Sequence, residues 1–399
     1  MVPPSGEQIT LGDGPWEAVV VQVGGGLRTL THDGVPVLDG FGEWEMAGGG
    51  RGQVLVPWPN RLAGGTYEWE GTGIRAPLSE PAHGNAIHGL VRWANWRATD
   101  WTEDRVTMRH RLHPQPAYPF ALDLAVQYVL DAHGLSVTLT ATNVGDGPAP
   151  FGAGFHPYLT AGTALVDDAV LTVPAEAWLP ADDAGIPTGE RLPVDGELDL
   201  RAARAIGGSV LDHCLTGLDR DGEGRATVSL EGPMRRVRLW MDGAFGFVMV
   251  FTGDTLAPER RRRGVAVEPM SCAADAFNSG AGLVVLHPGG QFAGSWGIGV
   301  DPALRGAAPA GRRDVRHRPR GHPCRTTAPT GTTCWVPATC RRGASPPSPP
   351  DTAAWRSPTT RGGTGRSTTA ARTRAAPSAR APSRTAGCAA RGTAGTTAP

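Results

Sequence analysis

The sequence predicts an all-β fold, a large antiparallel β-sandwich. Three observations carry the prediction. Short segments of alternating β-formers recur along the first three quarters of the chain, Gly, Pro and Asp punctuate them roughly every ten residues, and sustained 3.6-residue periodicity is nearly absent. Sandwiches of this kind run past about 250 residues as one domain.

The first element that reads clearly is a hairpin. Val126-Gln-Tyr-Val-Leu130 and Leu135-Ser-Val-Thr-Leu-Thr140 flank Asp131-Ala-His-Gly134, a turn signal between two alternating runs. Ala226-Thr-Val-Ser-Leu230 and Val237-Arg-Leu-Trp-Met241 repeat the arrangement around a Gly-Pro turn. Val170 to Val173, Phe247 to Phe251, Gly264 to Val267, Leu283 to Leu286 and Ser295 to Val300 are further short strands. One helical turn is expected near Leu198 to Ala205.

After Pro302 the composition changes abruptly. From Arg305 to the end there are 17 Arg against two acids, Asp314 and Asp351, and no Ile, Leu, Phe, Tyr or Met. A segment this poor in apolar residues buries too little surface to offset its ordering entropy, so residues 303–399 are expected to be a disordered Arg/Pro/Thr/Ala-rich tail. Two origins fit: a natural basic arm, or out-of-frame translation of GC-rich DNA. The abruptness of the switch, directly after a strand-like run, favours the second. The expected organisation is therefore a β-sandwich domain over 1–302 and the tail over 303–399.

The formal net charge of zero averages two unlike parts, near −15 for the body and near +15 for the tail. An acidic body is a poor nucleic-acid binder, because phosphate contacts need clustered cations. No run of eighteen apolar residues suggests a membrane span, and the N-terminus lacks the basic and apolar regions of a signal peptide. A cytoplasmic location is the expectation. The body holds only Cys214 and Cys272, and the tail cysteines Cys324, Cys334, Cys340 and Cys388 form no C-x-x-C pair, so neither a disulfide framework nor a zinc site is expected.

Four local patterns carry chemistry. They are Val56-Pro-Trp-Pro-Asn-Arg61; Gly84-Asn-Ala-Ile-His-Gly-Leu90 with Arg92 and Trp93; Phe151-Gly-Ala-Gly-Phe-His-Pro-Tyr158; and Val265-Ala-Val-Glu-Pro-Met270 followed by Asp275-Ala-Phe-Asn-Ser-Gly280. Taken alone, His88 beside Gly89 reads as a turn residue, and His156 as a core histidine satisfied by a backbone carbonyl. Arg61 reads as a solvated loop cation. Glu268 ends an apolar strand, where a carboxylate is costly unless paired or placed in a site. Together, a Glu and a His suit a reaction with two proton transfers at one acetal centre, because burial and neighbours can move both groups toward working pH. Such chemistry requires no metal, nucleotide or other cofactor.

In this order the four patterns resemble the aldose 1-epimerase (galactose mutarotase) family, and especially its shorter bacterial members. The resemblance covers about Gly12 to Asp301. It implies a β-supersandwich and a small-molecule aldose as substrate, interconverted between its α and β anomers. It implies Glu268 as general base at the anomeric hydroxyl and His156 as general acid at the ring oxygen. His88 and Arg61 are implied to bind sugar hydroxyls or steady the ring-oxygen side. Asp212, in Val210-Leu-Asp-His-Cys214, matches the family acid that holds adjacent hydroxyls, in a looser pattern. For the aromatic floor expected under a sugar's apolar face, Trp58, Phe277 and Trp296 are candidates, each reading more simply as core. Pro288-Gly-Gly-Gln291 lacks an acid that the pattern half implies.

Two other functions remain open at this level. A related family acts on hexose 6-phosphates, and a phosphate needs convergent cations. Arg61, Arg92 and the run Glu259-Arg-Arg-Arg-Arg263 offer them, although that run reads first as a solvated loop. The other alternative is a sugar-binding or regulatory protein that has lost catalysis, which predicts a broken acid or base position. A glycosidase needs two flanking carboxylates, which one Glu and one His do not supply. The sequence selects neither the aldose nor an oligomeric state.

Truncation after Pro302 is expected to leave the melting temperature and activity unchanged, because the tail has little to bury. A thermal scan showing a fall of more than about 5 °C, several times the shift of a minor contact in a domain this size, means that the tail folds onto the body.

Overall fold

A computed structural model describes residues 1–302. The tail, with the expectations of disorder and out-of-frame origin and its four cysteines, lies outside the described residues. Within them the chain is built from two large antiparallel sheets, a smaller N-terminal one and three two-stranded pairings.

The nine-stranded sheet runs, in spatial order, Arg97–Thr99, Arg105–Leu112, Leu122–Asp131, Gly134–Asn143, Gln291–Pro302, Arg235–Met241, Ala226–Glu231, Val170–Thr172 and Arg204–Ala205. The hairpin read from the sequence is its third connection. Asp131 closes it by accepting the His133 backbone N–H at 2.7 Å, a local side-chain turn. Gly134 is required there, since a Cβ would lie 2.1 Å from the Ile298 carbonyl oxygen. Leu122–Asp131 and Arg235–Met241 bury every second residue, so one face of this sheet meets the core and the other faces solvent. The twelve-residue strand Gln291–Pro302 lies between Gly134–Asn143 and Arg235–Met241, so the centre of the sheet is completed by the last strand of the body.

The eight-stranded sheet follows the path Leu192–Pro193, Ala175–Leu179, Asp212–Leu218, Phe247–Phe251, Val265–Met270, Gly154–Phe155 and Val54–Leu55, with Tyr158–Leu159 also paired to Val265–Met270. Its inner face meets the first sheet. Phe155 packs on Trp296 of the nine-stranded sheet with ring centroids 5.2 Å apart, inside one hydrophobic core that includes residues of both sheets. The N-terminal sheet is a meander of Gln8–Asp13, Trp16–Val21, Leu27–His32 and Val35–Pro36.

Two expectations are corrected. The segment near Leu198 to Ala205 is not one helical turn. A 3-10 turn covers Gly196–Leu198, and Arg204–Ala205 pairs with Val170 and Leu171 as an edge strand. Pairing with an open sheet edge outweighs a local turn that has no second helical turn to extend it. The Glu268 strand does not end at that residue either. It continues to Met270, and all six of its residues are buried.

Candidate active site

The period-two alternation of strands explains how a carboxyl comes to lie in an apolar run. In Val265–Met270, Val265 and Val267 face the core, and Ala266, Glu268 and Met270 face the other way. Glu268 stands opposite Met249, which stands opposite Cys214. One row further along the same face come Ala266, Phe251 and Asp212. That outer face is the floor of a cavity of about 500 Å³, whose lining includes Asp212, Met249, Phe251 and Glu268. The strand is buried on both faces because one meets the core and the other is roofed by loops.

His156 enters the cavity from the neighbouring segment. Ala153 and Ser271 fix its approach: the Ser271 backbone N–H donates to the Ala153 carbonyl, and the Ala153 N–H donates to Ser271 Oγ, both at 2.8 Å. The Gly52 N–H donates to the His156 carbonyl at 2.9 Å. The imidazole lies directly against Gly50, at φ +76°, where any Cβ would be 2.4 Å from His156 Cδ2. Gly50 therefore serves both a left-handed backbone and a close approach. The result is His156 Nε2 3.2 Å from Glu268 Oε1, with both side chains almost fully buried. His156 Nδ1 and Glu268 Oε2 are buried with no hydrogen-bond partner, so a carbonyl-satisfied core histidine is not what the structure contains.

His88 comes from the opposite wall. It adopts a left-handed backbone at φ 63°, and its Nδ1 accepts the Asn60 backbone N–H at 3.2 Å. That bond leaves Nε2 as the protonated ring nitrogen of the neutral imidazole. Its ring meets that of His156 edge-on, centroids 5.3 Å apart. Arg61 is not a free loop cation. It donates two bonds to the Glu80 carboxylate, at 2.8 and 2.9 Å, and His83 approaches the same carboxylate at 3.2 Å. The short strand Arg61–Leu62, paired with Ala86–Ile87, is braced at its end by Asp275, whose Oδ1 accepts the Ala63 N–H at 2.9 Å and the Asn278 side-chain amide at 2.7 Å. This gives the Asp275 to Gly280 motif a scaffolding task. The structure brings Arg61, His88, His156, Asp212 and Glu268 together around the one cavity.

Burial dominates the electrostatics. It raises the Glu268 carboxyl well above the usual range, helped by the charge of Asp212 and opposed by Arg61. It lowers His156 to about 3 and holds His88 well below the ordinary histidine value. Asp212 opens to the cavity and is raised by the protein around it, again opposed by Arg61. Two buried groups with opposite intrinsic charge thus meet at hydrogen-bond distance, each biased toward its neutral form.

The aromatic wall differs from the sequence candidates. Trp58, Phe277 and Trp296 are core residues, and Trp58 packs edge-on against Phe277. Trp93, Tyr158 and Phe251 line the cavity instead. The run from Arg260 to Arg263 does not line it. Arg260 pairs with Asp39 and Glu45, and Arg262 with Asp167 and Asp254. Arg92, by contrast, lines the cavity and has no carboxylate within 4.0 Å among the described residues. Among those residues, no group of three or more His, Cys, Asp or Glu is arranged to hold a metal ion.

The aldose 1-epimerase family profile matches residues 7–297. The uncharacterised protein YihR of Escherichia coli K12 is 35% identical over 286 residues, 71% of this chain and 90% of YihR. Human galactose mutarotase is 32% identical over 180 residues, 43% of this chain, and the matched region spans only 51% of that protein. Two solved structures have the same fold. A GalM/aldose epimerase homologue from C. elegans superposes with a TM-score of 0.68 at 17% identity, over 75% of this chain and 99% of that one. Galactose 1-epimerase from Lactobacillus acidophilus superposes with a TM-score of 0.64 at 21% identity, over 74% and 95%.

The raised Glu268 carboxyl makes a prediction about stability. Between the ordinary carboxylate value and the raised one, the folded protein holds a proton that the unfolded chain has released. Stability therefore falls as pH rises through that window. Glu268→Gln removes this dependence. The variant is expected to melt higher than wild type at about pH 8, with the two curves converging near pH 4. Equal melting temperatures at the higher pH would show that the carboxyl is not raised.

Proposed function

The chain belongs to the aldose 1-epimerase family, and from that premise we propose that it is a mutarotase, an isomerase that interconverts the α and β anomers of a hexose such as galactose or glucose. The observation that carries this reading is the contact of 3.2 Å between His156 Nε2 and Glu268 Oε1 on the wall of a cavity wide enough for a sugar.

The reaction needs a base on the anomeric hydroxyl and an acid on the ring oxygen. In the reacting form the proton shared across the 3.2 Å contact sits on His156, and the Glu268 carboxylate takes the hydroxyl proton as the C1–O bond becomes a carbonyl. His156 gives a proton to the ring oxygen as the bond from C1 to that oxygen breaks. The open chain rotates about C1–C2, and the same two transfers run backward to close the ring on the other face. The number of protons on protein plus sugar is constant throughout. Asp212 accepts from neighbouring hydroxyls, and His88 and Arg61 donate to sugar oxygens. Trp93, about half exposed, offers an aromatic face to the sugar's C–H surface.

A second reading is favoured by Arg92. A cation that lines a cavity without a carboxylate partner suits an anionic substituent, which supports a hexose 6-phosphate as the substrate. Arg61 contributes less to this reading, because Glu80 already neutralises it.

Polarimetry of freshly dissolved α-glucose and α-galactose tests the proposal. Wild type is expected to speed relaxation to the same final rotation, and Glu268→Gln to lose about 10²-fold or more of that rate. Retention of activity within about tenfold would remove Glu268 from the role of base. Acceleration with glucose 6-phosphate alone selects the second reading, and no acceleration with any of the three sugars leaves a binding protein without catalysis.

A further inference from the structure

Arg51 is among the most buried charged residues of the described chain, yet it does not line the cavity. All three nitrogens of its guanidinium donate. Nη2 donates to Asp39 Oδ2 at 2.8 Å, and Nε donates to the same oxygen and to the Asp39 carbonyl, each at 3.2 Å. Nη1 donates to the Gly48 carbonyl at 3.1 Å. So held, the guanidinium carbon lies 4.3 Å from the centroid of the Tyr158 ring. On that same ring lies the His156 imidazole, centroids 5.0 Å apart and planes 15° from parallel. Tyr158 is fixed in turn. Its hydroxyl donates to the Gly49 carbonyl at 2.8 Å, and its carbonyl accepts the Asp39 backbone N–H at 2.9 Å.

An ion pair this deep is costly, since both charges leave water. Core packing alone would be served as well by apolar residues of similar volume. What the pair adds is a fixed dipole, whose positive end is stacked on the ring that also orients His156. A guanidinium keeps that charge at every working pH and favours an aromatic face.

We propose that Asp39 and Arg51 form a positioning unit for His156, acting through Tyr158: they fix the plane of the imidazole and set the positive end of their ion pair against the same ring, which makes the imidazole a readier proton donor. The inference rests on His156 being the acid of the proposed mutarotase. Arg51 itself touches neither cavity nor sugar. The other groups facing His156 are Glu268 at 3.2 Å, the His88 ring, Tyr158 and, across the cavity, Arg92. Burial chiefly disfavours the protonated imidazole, and Arg51 and Arg92 add to that, whereas an ionised Glu268 at 3.2 Å favours it. The unit therefore offsets part of what Glu268 does, in the direction that helps the proton leave.

The test compares wild type with the double variant Asp39→Asn, Arg51→Met, which removes both charges and leaves no unpaired buried carboxylate. Arg51→Lys is the charge-keeping control. Nitrogen-15 NMR of the imidazole, assigned with His156→Asn, follows its protonation across the pH range in which all proteins are folded. Polarimetry of the sugar that wild type accepts gives kcat and KM. In the double variant the imidazole is expected to take up its proton about half a unit or more higher in pH. Its kcat is expected to fall about tenfold with little change in KM, and the alkaline limb of its pH profile to move up. Arg51→Lys keeps the wild-type titration. Identical imidazole titrations in wild type and double variant overturn the inference, whatever happens to kcat, because a purely structural role would leave them alike. If wild type turns over no sugar, the mutarotase reading fails, and the NMR comparison still decides whether Arg51 acts on His156.

Discussion

Glu268 sits inside a strand buried on both faces, and the arrangement of the site follows from the cost of keeping a carboxyl there. A charged group in that position cannot relax toward water, because the strand is paired on both sides and its backbone has no slack. Its nearest polar partner is a histidine that burial also drives toward neutrality. The contact can hold one proton in two ways, on the carboxyl or on the imidazole, and neither way changes the net charge of the pocket. A reaction that moves a proton onto one member as it removes one from the other therefore demands little reorganisation of the surroundings. Fixed dipoles and paired charges are most effective in catalysis under these conditions.

The two sheets divide the work. The nine-stranded sheet buries one face and exposes the other, and the alternation of its strands is visible residue by residue. The eight-stranded sheet has its core on one face and the cavity on the other. Catalytic candidates mounted on such strands are held more exactingly than side chains on loops. The other members are restrained by other means: His88 by the Asn60 N–H, Arg61 by Glu80 and by its short strand's pairing with Ile87, and the turn after that strand by Asp275. Each restraint comes from a residue distant in sequence.

That distance explains what the sequence reveals and what it hides. The hairpin around Asp131 to Gly134 was legible because turn residues and alternation are local signals, and the same holds for Ala226 to Met241. The all-β class followed from these signals repeated. The anomalous carboxyl in Val265 to Val267 marked Glu268 because it violates the pattern around it. The structure brings Arg61, His88 and Asp212 around the same cavity; in the sequence only the family resemblance links them, since Arg61 and His88 read alone as loop and turn residues. Partnerships were hidden. Nothing local pairs Arg61 with Glu80 or Arg51 with Asp39, and nothing local divides the cations of the Arg260 to Arg263 run among Asp39, Glu45, Asp167 and Asp254. The aromatic wall was hidden for the same reason. Whether Trp58 or Trp93 faces the cavity depends on how loops fold over a sheet, and both read alike in the chain.

The ends of the two sheets have a consequence of another kind. The nine-stranded sheet begins with a strand of three residues and finishes with one of two, and the eight-stranded path finishes at both ends with strands of two. One of these terminal strands, Leu192–Pro193, carries a proline that has no N–H to offer. Open backbone at a sheet border is a template on which a foreign strand can grow, and brevity with an occasional proline denies it length and donors. Among the described residues, the borders of the two large sheets are therefore poor templates for a foreign strand.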